Sequence, residues 1–363
     1  MVERVLVGMS GGVDSSVAAL LLKQRGYDVI GAHMKLWDYA EVGGETIYRD
    51  GRCCSHDSIN HCRLVCDRLD IPFYVLNLSV DFEREIIDNF VAEYRAGQTP
   101  NPCVRCNTLI KWEGFLRKAD ELACDYIATG HYARILRADG RHQLHRGIDK
   151  SRDQSYVLWG LDQAKLQRTL MPLGDITKAE VRQVARHHGL RTAEAAESRE
   201  ICFVADDDYP RFLREWSERE GGPDFETGEI MHENGTILGE HRGTPFYTIG
   251  QRRGLGIAWS EPLYVIGIDA VNNRLIVGPD TSLWRTEMGV EQVNWIAGKE
   301  QAQEFEASVQ IRYQHTAAPA RVCSLTDGSL HVTLTEKQRA ITPGQSAVMY
   351  DRDRVLGGGI IAR

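Results

Sequence analysis

Apolar and polar positions alternate with two different periods in the first half of the chain. The apolar run Val5–Val7 and the later runs 28–34, 73–78 and 126–129 predict strands, and helical spacing of apolar residues is found at 15–25, 57–69, 80–94 and 106–122. Strands that alternate with helices predict a parallel sheet with helices on both faces. Ligands of such sheets bind beyond the carboxyl ends of the strands.

The pattern changes after about residue 205. Residues 208–219 have helical spacing, and the remaining apolar runs are short and separated by Gly, Asn and Asp turn signals. We therefore expect an α/β domain with a Rossmann-like parallel sheet over residues 1–205. A small mixed, mainly β middle domain is expected over 206–279, and strand meanders predict a C-terminal β-barrel over 280–363.

Length and composition narrow the protein class. The chain has 363 residues, and no apolar run approaches the roughly 20 residues that span a bilayer. The first predicted strand begins almost at the N-terminus, so no signal peptide is predicted. Nine cysteines, an odd number, argue against a disulfide framework. We expect a cytoplasmic protein without a membrane partner.

The charge distribution bears on the partner. A formal net charge of −8 argues against non-specific binding of nucleic acid, and no DNA partner is expected. Residues 307–363 nevertheless carry seven Lys and Arg against four Asp and Glu. This local excess of positive charge suggests that an anionic partner binds at the C-terminal end.

A glycine-rich turn between the first strand and the first helix is a candidate phosphate site. Backbone N–H groups of a Ser-Gly-Gly turn at a helix N-terminus form an anion nest. The turn lacks the lysine of a Walker A loop, which suits cleavage at the α-phosphate with pyrophosphate as the leaving group. Asp14 is available to help hold Mg²⁺ or to orient the loop. The predicted ATP loop comprises Gly8, Met9, Ser10, Gly11, Gly12, Val13, Asp14 and Ser15.

Several motifs carry a family resemblance. "SGGVDS" resembles the signature of the PP-loop ATP pyrophosphatases, which activate a carbonyl group by adenylation. It is followed in order by "NPCVRCN", "DYIATGHYAR", "RDQSYVL", "MPLGDITKAEVR", "REICFV" and "YTIGQRRGLGI". Over nearly its whole length the chain resembles the tRNA-specific 2-thiouridylase family. The resemblance implies ATP and Mg²⁺ as cofactors, and replacement of the C2 oxygen of the wobble uridine by sulfur. It also implies the tRNA anticodon stem-loop as substrate, with a cysteine desulfurase or sulfur-relay protein as donor.

Sulfur transfer to an adenylated base requires two thiols that are distant in sequence and close in space. Cys106 follows a proline-containing turn and is expected to open a helix, where the helix dipole and nearby Arg105 would lower a thiol pKa. The resemblance implies that Cys106 is the nucleophile and that Cys202 carries the persulfide. The two could also form a redox disulfide.

The resemblance assigns further contacts residue by residue. Met34 and Gly130 match positions of the adenosine pocket, and Asn101, Pro102 and Cys103 match the segment that meets the target base. Many family members carry Asp where this chain has Cys103, so a carboxylate acid or base is not expected there. The implied tRNA contacts are His131, Arg152, Asp153, Gln154, Arg312, Tyr313 and Gln345.

Alternatives to this interpretation remain open. Cys103, Cys106 and Cys202 could together hold a [4Fe–4S] cluster with one open iron, although the persulfide route needs no metal. A second group could bind zinc, but it contains no paired C-x-x-C unit; it comprises Cys53, Cys54, His56, His61, Cys62 and Cys66. A different PP-loop adenylating enzyme and a non-catalytic RNA-binding or iron–sulfur sensor protein are the rival functions.

Overall fold

A computed structural model describes residues 2–37, 56–194, 201–204, 206, 208–298 and 302–362. Its first strands and helices are β1 (Arg4–Gly8), α1 (Val13–Gln24), β2 (Asp28–Lys35), α2 (His56–Leu69) and β3 (Phe73–Asn77). Then follow α3 (Ser79–Phe82), α4 (Asp88–Arg95), α5 (Pro102–Arg105), α6 (Phe115–Glu121), β4 (Tyr126–Ala128), β5 (Ala133–Ala138), β6 (Arg141–Arg146), α7 (Gln163–Gln167), β7 (Thr169–Leu170) and α8 (Lys178–His187).

The N-terminal part is built on a five-stranded sheet of order β3-β2-β1-β4-β7. All of its strand pairs are parallel, as the alternation of strands and helices predicted. Side chains of β1 alternate between the two faces of the sheet. Val5 and Val7 belong to the core formed with α1 and α2, and Leu6 belongs to the core that contains Trp112 and Phe115. The β1 strand is therefore covered on both faces.

Two of the helices contain a π-helical segment. Helix α3 runs through the π-helical segment Glu83–Ile87 into α4, and α5 runs through Cys106–Gly114 into α6. We call residues 102–121, from α5 to α6, the cysteine helix. The sequence predicted a helix from residue 106, whereas Pro102 already occupies the first turn and Asn101 is the N-cap. Proline is well tolerated there because the first N–H groups of a helix have no partner within it.

The second half of the chain is mainly β. After α9 (Tyr209–Arg219) come β8 (Gly228–His232), β9 (Ile237–His241), β10 (Tyr264–Asp269), β11 (Arg274–Gly278) and β12 (Trp284–Trp295). The last strands are β13 (Glu304–Gln310), β14 (Ala318–Ser324), β15 (Leu330–Arg339), β16 (Ser346–Asp351) and β17 (Arg354–Ile361). Strands β8 to β11 form a mixed sheet of order β10-β11-β8-β9.

The C-terminal strands close into a barrel. Six strands follow the order β12-β15-β14-β13-β16-β17, and pairing of β12 with β17 completes the ring. The predicted fold class, a PP-loop α/β domain followed by a middle domain and a β-barrel, is therefore confirmed. The exact boundaries of the three domains stay a prediction. Among the described residues, every helix is too short or too polar to cross a lipid bilayer.

One hairpin of the N-terminal part was not predicted. Strands β5 and β6 pair with each other, and β6 joins the barrel strand β17 where His145 faces Arg354. The backbone N–H of Arg146 also donates to the carbonyl of Asp353 at 2.8 Å. The barrel is thus joined to the N-terminal part by backbone hydrogen bonds as well as by side-chain packing.

Candidate functional site

The predicted phosphate loop connects the carboxyl end of β1 to the start of α1. Gly11 has φ +82°, and a Cβ atom there would lie 2.9 Å from the carbonyl oxygen of Ser58. Only glycine satisfies both conditions. Gly12 is the N-cap of α1 and has no side chain that could cap the helix. An N-cap side chain therefore does not occupy the N–H groups of the first turn that an anion would bind.

The two serines of the loop bond to the loop itself. The backbone N–H of Ser10 donates to Ser15 Oγ at 3.1 Å, and the two hydroxyl oxygens lie 3.2 Å apart. The Ser15 hydroxyl donates in turn to the carbonyl of Gly12 at 3.1 Å. These bonds hold the loop in shape. An anion that uses the Ser15 hydroxyl as a donor must therefore replace its bond to Gly12.

A lysine remote in sequence pairs with the carboxylate of the loop. Lys178, the first residue of α8, donates through Nζ to both carboxylate oxygens of Asp14 at 2.8 Å. Its side chain is only 9% exposed, and the Asp14 side chain is 31% exposed. The hydroxyl of Tyr132 also donates to Asp14 Oδ1, at 2.7 Å. Sequence reasoning missed Lys178 and Tyr132, although both lie inside quoted motifs.

Gly130 packs directly on the start of α1. A Cβ atom on Gly130 would lie 2.9 Å from the carbonyl carbon of Asp14 and 2.9 Å from the N atom of Ser15. A Cβ atom on Gly8 would lie 3.3 Å from the terminal methyl of Met34. The structure therefore brings both predicted adenosine-pocket residues to the loop. Their role in binding ATP stays a prediction.

The cysteine helix presents its two thiols differently. Asn101 caps the helix, because its Oδ1 accepts the N–H of Val104 at 3.3 Å. Cys103 in the first turn is exposed to solvent, whereas Cys106 in the second turn is buried. The dipole effect is concentrated in the first turn of a helix, so it favours a thiolate at Cys103 more than at Cys106. The expectation that Cys106 opens the helix is wrong.

Two charged residues near these thiols differ from expectation. Arg105 donates to a carboxylate oxygen of Glu85 at 3.1 Å, and this pairing offsets the positive charge that was expected to act on Cys106. Lys111 acts instead on Cys103. Although Cys103 is exposed, nearby protein atoms desolvate its thiol and raise its pKa. The ammonium group of Lys111 opposes this rise. Lys111 was not predicted; it lies in the π-helical segment, whose wider turn changes which residues share a face.

Cys202 packs against the hydrophobic cluster that contains Cys106. Its neighbour Phe203 is buried and contacts the rings of Phe82 and Phe90, with centroids 5.8 Å and 5.1 Å apart. Cys106 and Phe203 are members of this cluster, and Cys202 and Met34 pack against it. The structure thus assembles the two predicted cysteines around one core, which also reaches the phosphate loop through Met34.

Comparison with known proteins shows the family of this chain. Residues 3–206 match the family model of the tRNA methyl transferase HUP domain. The matches continue with the tRNA methyl transferase PRC-barrel domain over 221–279 and the aminomethyltransferase beta-barrel domain over 285–361. The tRNA-specific 2-thiouridylase MnmA of Geotalea uraniireducens is 50% identical over 360 residues, covering 99% of this chain and 95% of the relative. The chain belongs to the tRNA-specific 2-thiouridylase family.

Other family members match just as completely. The tRNA-specific 2-thiouridylase MnmA of Geobacter metallireducens is 49% identical, covering 99% of this chain and 96% of that protein. The enzyme of the same name from Clostridium beijerinckii is 45% identical, with 99% of each chain covered. The family resemblance inferred from the motifs is therefore confirmed over the full length.

His131, which the sequence predicted to contact tRNA, is a buried residue beside the phosphate loop. Its Nδ1 lies 2.7 Å from the hydroxyl of Thr129, and its ring lies 5.6 Å from that of Trp112. Desolvation, reinforced by the charge of Lys111, lowers the pKa of His131 well below its usual value. His131 is therefore neutral at physiological pH. It can form a hydrogen bond with a ligand but not an ion pair.

All three residues of the 152–154 triplet are partly exposed, and Asp153 and Gln154 bond within the chain. Asp153 is saturated within the chain: it pairs with Arg146 at 2.8 Å and accepts the N–H groups of Gly147 and Ser155. Gln154 accepts the N–H of Tyr132 at 3.0 Å. Arg152 is the member of the triplet whose charge suits a phosphate contact. The tRNA role of all three stays a prediction.

The barrel residues predicted to contact tRNA lie near Cys103. Tyr313 is 42% exposed, and its ring lies 6.1 Å from that of Tyr156. Desolvation is the main cause of the raised pKa of Tyr313, and the charges of Asp153 and Cys103 add to it. A guanidinium N–H of Arg312 donates to the carbonyl of Arg339 at 3.4 Å. Gln345 bonds to the loop before the cysteine helix, as described below.

The proposed zinc group receives no support from its described members. Cys62 lies 3.7 Å from His33 Nδ1, and burial raises the pKa of Cys66 to about 12, which disfavours the thiolate that zinc requires. Cys53, Cys54 and the side chain of His56 lie outside the described residues. Within the described part of the chain, no group of three His, Cys, Asp or Glu side chains could hold a metal ion.

Proposed function

We propose that this protein is an ATP-dependent tRNA-uridine 2-sulfurtransferase that replaces the C2 oxygen of the wobble uridine by sulfur. The observation that carries the proposal is the shared environment of the phosphate loop and the two cysteines. A Cβ atom on Gly8 would lie 3.3 Å from the terminal methyl of Met34. Met34 and Cys202 both pack against the cluster that contains Cys106. An activated base bound at the loop would therefore lie within reach of a sulfur nucleophile.

The first step is adenylation of the base. The C2 oxygen of uridine attacks the α-phosphorus of ATP, the bond to the β-phosphate breaks, and pyrophosphate leaves. Backbone N–H groups of the loop and the N-terminus of α1 are suited to hold that anion. Lys178 pairs with Asp14 and so offsets the negative charge of that carboxylate beside the anion. AMP then becomes a good leaving group on C2, which a free oxygen is not.

Mg²⁺ would bind at this site as part of MgATP. Both oxygens of Asp14 already accept hydrogen bonds from Lys178, so the carboxylate is not a vacant ligand for a cation. Mg²⁺ at nucleotide sites is commonly held by substrate phosphates and only one or two protein carboxylates. We therefore treat MgATP as the substrate and assign Asp14 the task of orienting the loop and Lys178.

The second step transfers sulfur with the two cysteines. A persulfide on Cys202 attacks C2, and AMP leaves with the former C2 oxygen. The Cys106 thiolate then attacks Sγ of Cys202. The sulfur–sulfur bond breaks, its electron pair stays with the sulfur on C2, and a Cys106–Cys202 disulfide forms. A dithiol reductant must return two electrons before the next cycle, and a cysteine desulfurase or sulfur-relay protein must reload Cys202.

The iron–sulfur alternative has weaker support from the described residues. Cys103 is exposed and Cys106 buried, and neither forms part of a metal-binding group of three with Cys202. Three ligands are the minimum for a cluster with one open iron. We therefore include no step that depends on a cluster. Cys103 then serves as a neighbour of the target base together with Asn101 and Pro102.

The position of Tyr313 supports the anticodon stem-loop of tRNA as the substrate. This exposed aromatic ring lies close enough to Arg152 and Cys103 for their charges to affect its pKa. An aromatic ring can stack on an unpaired base and an arginine can pair with phosphate, which is the usual way in which proteins read RNA loops. The enzyme would work in the cytoplasm, where unmodified tRNA and ATP are present.

The test is nucleoside mass spectrometry of tRNA. Unmodified tRNA is incubated with the protein, MgATP, a cysteine desulfurase and cysteine. We expect 2-thiouridine at the wobble position, with AMP formation that depends on tRNA. Cys106→Ser and Cys202→Ser should stop thiolation while a first turnover of pyrophosphate release is retained, because adenylation precedes both thiol steps. Cys323→Ser in β14 is the matched control. AMP formation that ignores tRNA, or a methylated uridine as the product, would contradict the proposal.

A further inference from the structure

The loop that leads into the cysteine helix is held by both of the other domains. We call residues 97–101 the entry loop. Gly97 has φ +74°, and a Cβ atom there would lie 2.9 Å from a methyl carbon of Ile268 and 3.2 Å from Cβ of Ala270. Both of these residues belong to the end of β10 and the turn after it in the middle domain. The entry loop therefore begins in close contact with that domain.

The barrel holds the other half of the entry loop. The N–H of Thr99 donates to the carbonyl of Pro343 at 2.9 Å. The side-chain amide of Gln345 donates to the carbonyls of Thr99 and Pro100, at 3.0 Å and 3.1 Å. Gly344 has φ +90°, and a Cβ atom there would lie 2.8 Å from the carbonyl oxygen of Thr99. A side chain at residue 344 would displace the loop.

The barrel turn that makes these contacts is itself well anchored. The N–H of Gly344 donates to the carbonyl of Ile361 at 3.0 Å, and the N–H of Ile361 donates to the carbonyl of Gln345 at 2.8 Å. The next residue, Ser346, is buried, and its carbonyl accepts the hydroxyl of Tyr156 at 2.9 Å. The turn is thus tied to strand β17 and to the N-terminal part, so it moves with the barrel.

The entry loop ends at the N-cap of the cysteine helix. Asn101 bonds through its side chain to Val104, and Cys103 lies between them in the first turn. A shift of the entry loop would therefore move Cys103 in the first turn of the helix, and with it Cys106 in the second turn. Building on the function proposed above, we propose that Gly344 and Gln345 are positioning residues that set the placement of Cys103 and Cys106 from the barrel.

This assignment differs from the tRNA contact expected for Gln345. A glutamine amide has two N–H donors. Both are directed to carbonyl oxygens of the entry loop, so neither is available to a phosphate or a base unless a bond to the loop breaks. The two roles therefore predict different kinetics: a positioning residue changes the rate at saturating tRNA, and a contact residue changes tRNA affinity.

Two substitutions with matched controls test the proposal. Gln345→Met keeps the length of the side chain and removes both donors, and Gln338→Met removes a barrel amide that bonds to Glu336 of its own strand. Gly344→Ala introduces a Cβ atom against Thr99. Gly328→Ala is its control, because Gly328 also has positive φ, +82°, but has no atom within 4 Å of the added Cβ. The control thus has the backbone strain without the contact.

The first measurement separates rate from affinity. Each lost hydrogen bond is worth about tenfold at most in the placement of the loop. We expect Gln345→Met to lower the thiolation rate at saturating tRNA by about 10- to 30-fold, with the tRNA dissociation constant changed by less than about twofold. Gly344→Ala should act in the same direction, and both controls should match the wild type. A weaker affinity with an unchanged maximal rate would overturn the proposal in favour of a tRNA contact.

The second measurement does not depend on catalysis. Iodoacetamide labelling followed by peptide mass spectrometry gives the alkylation rate of Cys103 relative to Cys323, a partly exposed thiol of β14. We expect Gln345→Met and Gly344→Ala to change this ratio several-fold, and the controls to leave it unchanged. An unchanged ratio in both variants would overturn the positioning role, even if the protein proved to catalyse a different reaction. A changed ratio with no 2-thiouridine from the wild type would contradict only the proposed function.

Discussion

Replacement of Lys178 by methionine tests whether the remote lysine is part of the phosphate site. Lys178 makes two 2.8 Å hydrogen bonds to the carboxylate of Asp14, and its side chain is 9% exposed. A hydrogen bond to a charged group contributes about 1.5–3 kcal/mol, and removal of one partner of a buried pair leaves the other charge uncompensated. The exposure of Asp14 reduces that penalty, so we expect a coupling of about 2–3 kcal/mol.

That coupling corresponds to about a 30- to 150-fold lower rate of AMP formation if the pair orients the loop in the transition state. The assay is a double-mutant cycle with Lys178→Met, Asp14→Asn and the double variant, each measured under saturating ATP and tRNA. Once one partner is lost, the other has little left to contribute, so the double variant should be hardly slower than either single variant.

Lys118→Met is the matched control for the removal of a lysine. Lys118 also bonds to a carboxylate at 2.8 Å, that of Glu121, but both side chains are far more exposed. A surface pair of this kind is worth about 0.2–1 kcal/mol and is screened by salt, whereas the Lys178 effect should persist at high salt. The reasoning is refuted if Lys178→Met is as active as Lys118→Met, or if the effects of Lys178→Met and Asp14→Asn simply multiply.

Three further outcomes are expected. Gly130→Ala should weaken ATP binding more than tenfold, because its Cβ would lie 2.9 Å from the backbone at the start of α1. Gly239→Ala is the control, because an added Cβ there has no atom within 4 Å, and calorimetry should show normal ATP binding. The pKa of His131 is lowered in the folded state, so below the ordinary histidine pKa of 6.5 the unfolded state takes up a proton first and the stability of the fold decreases. Thermal melts between about pH 7.5 and 5.5 should therefore show a smaller loss of stability for His131→Gln than for the wild type. Arg312→Ala and Tyr313→Ala should weaken tRNA binding without changing ATP affinity, and the Arg312 effect should shrink as salt is raised; equal tRNA affinity in both variants and the wild type would contradict this assignment.

Local sequence determined the phosphate loop almost completely. A glycine at residue 11, which needs a positive φ and a close approach to Ser58, leaves few conformations for the turn between β1 and α1. The alternation of apolar and polar residues likewise predicted β1 to β4 of the parallel sheet and the helices between them close to their observed ends, but it did not predict β7 or α8. These features depend on interactions within a few residues, so periodicity and turn chemistry reveal them.

The order of the motifs also revealed the family, and the resemblance implies that Cys106 and Cys202 are the two reactive cysteines, which stays a prediction. It did not reveal how the cysteine helix begins. Proline in the sequence marks either a turn or a first helical turn, and the N-cap bond that Asn101 Oδ1 accepts from the N–H of Val104 decides for the second. The π-helical segment after it, which contains Lys111, has no recognised local signature in the sequence.

Only the tertiary structure decided which charges act on the site and which predicted contacts are already occupied. Asp14 and Lys178 are 164 residues apart, and Gln345 meets Thr99 across 246 residues. No local pattern encodes such pairings, because they arise when sheet, helix and barrel pack against one another. The sequence by itself therefore determined the family, the fold class and the candidate site residues. Packing decided that Asp153, Gln154 and Gln345 bond within the chain, because a buried polar group must find a partner wherever the fold places one.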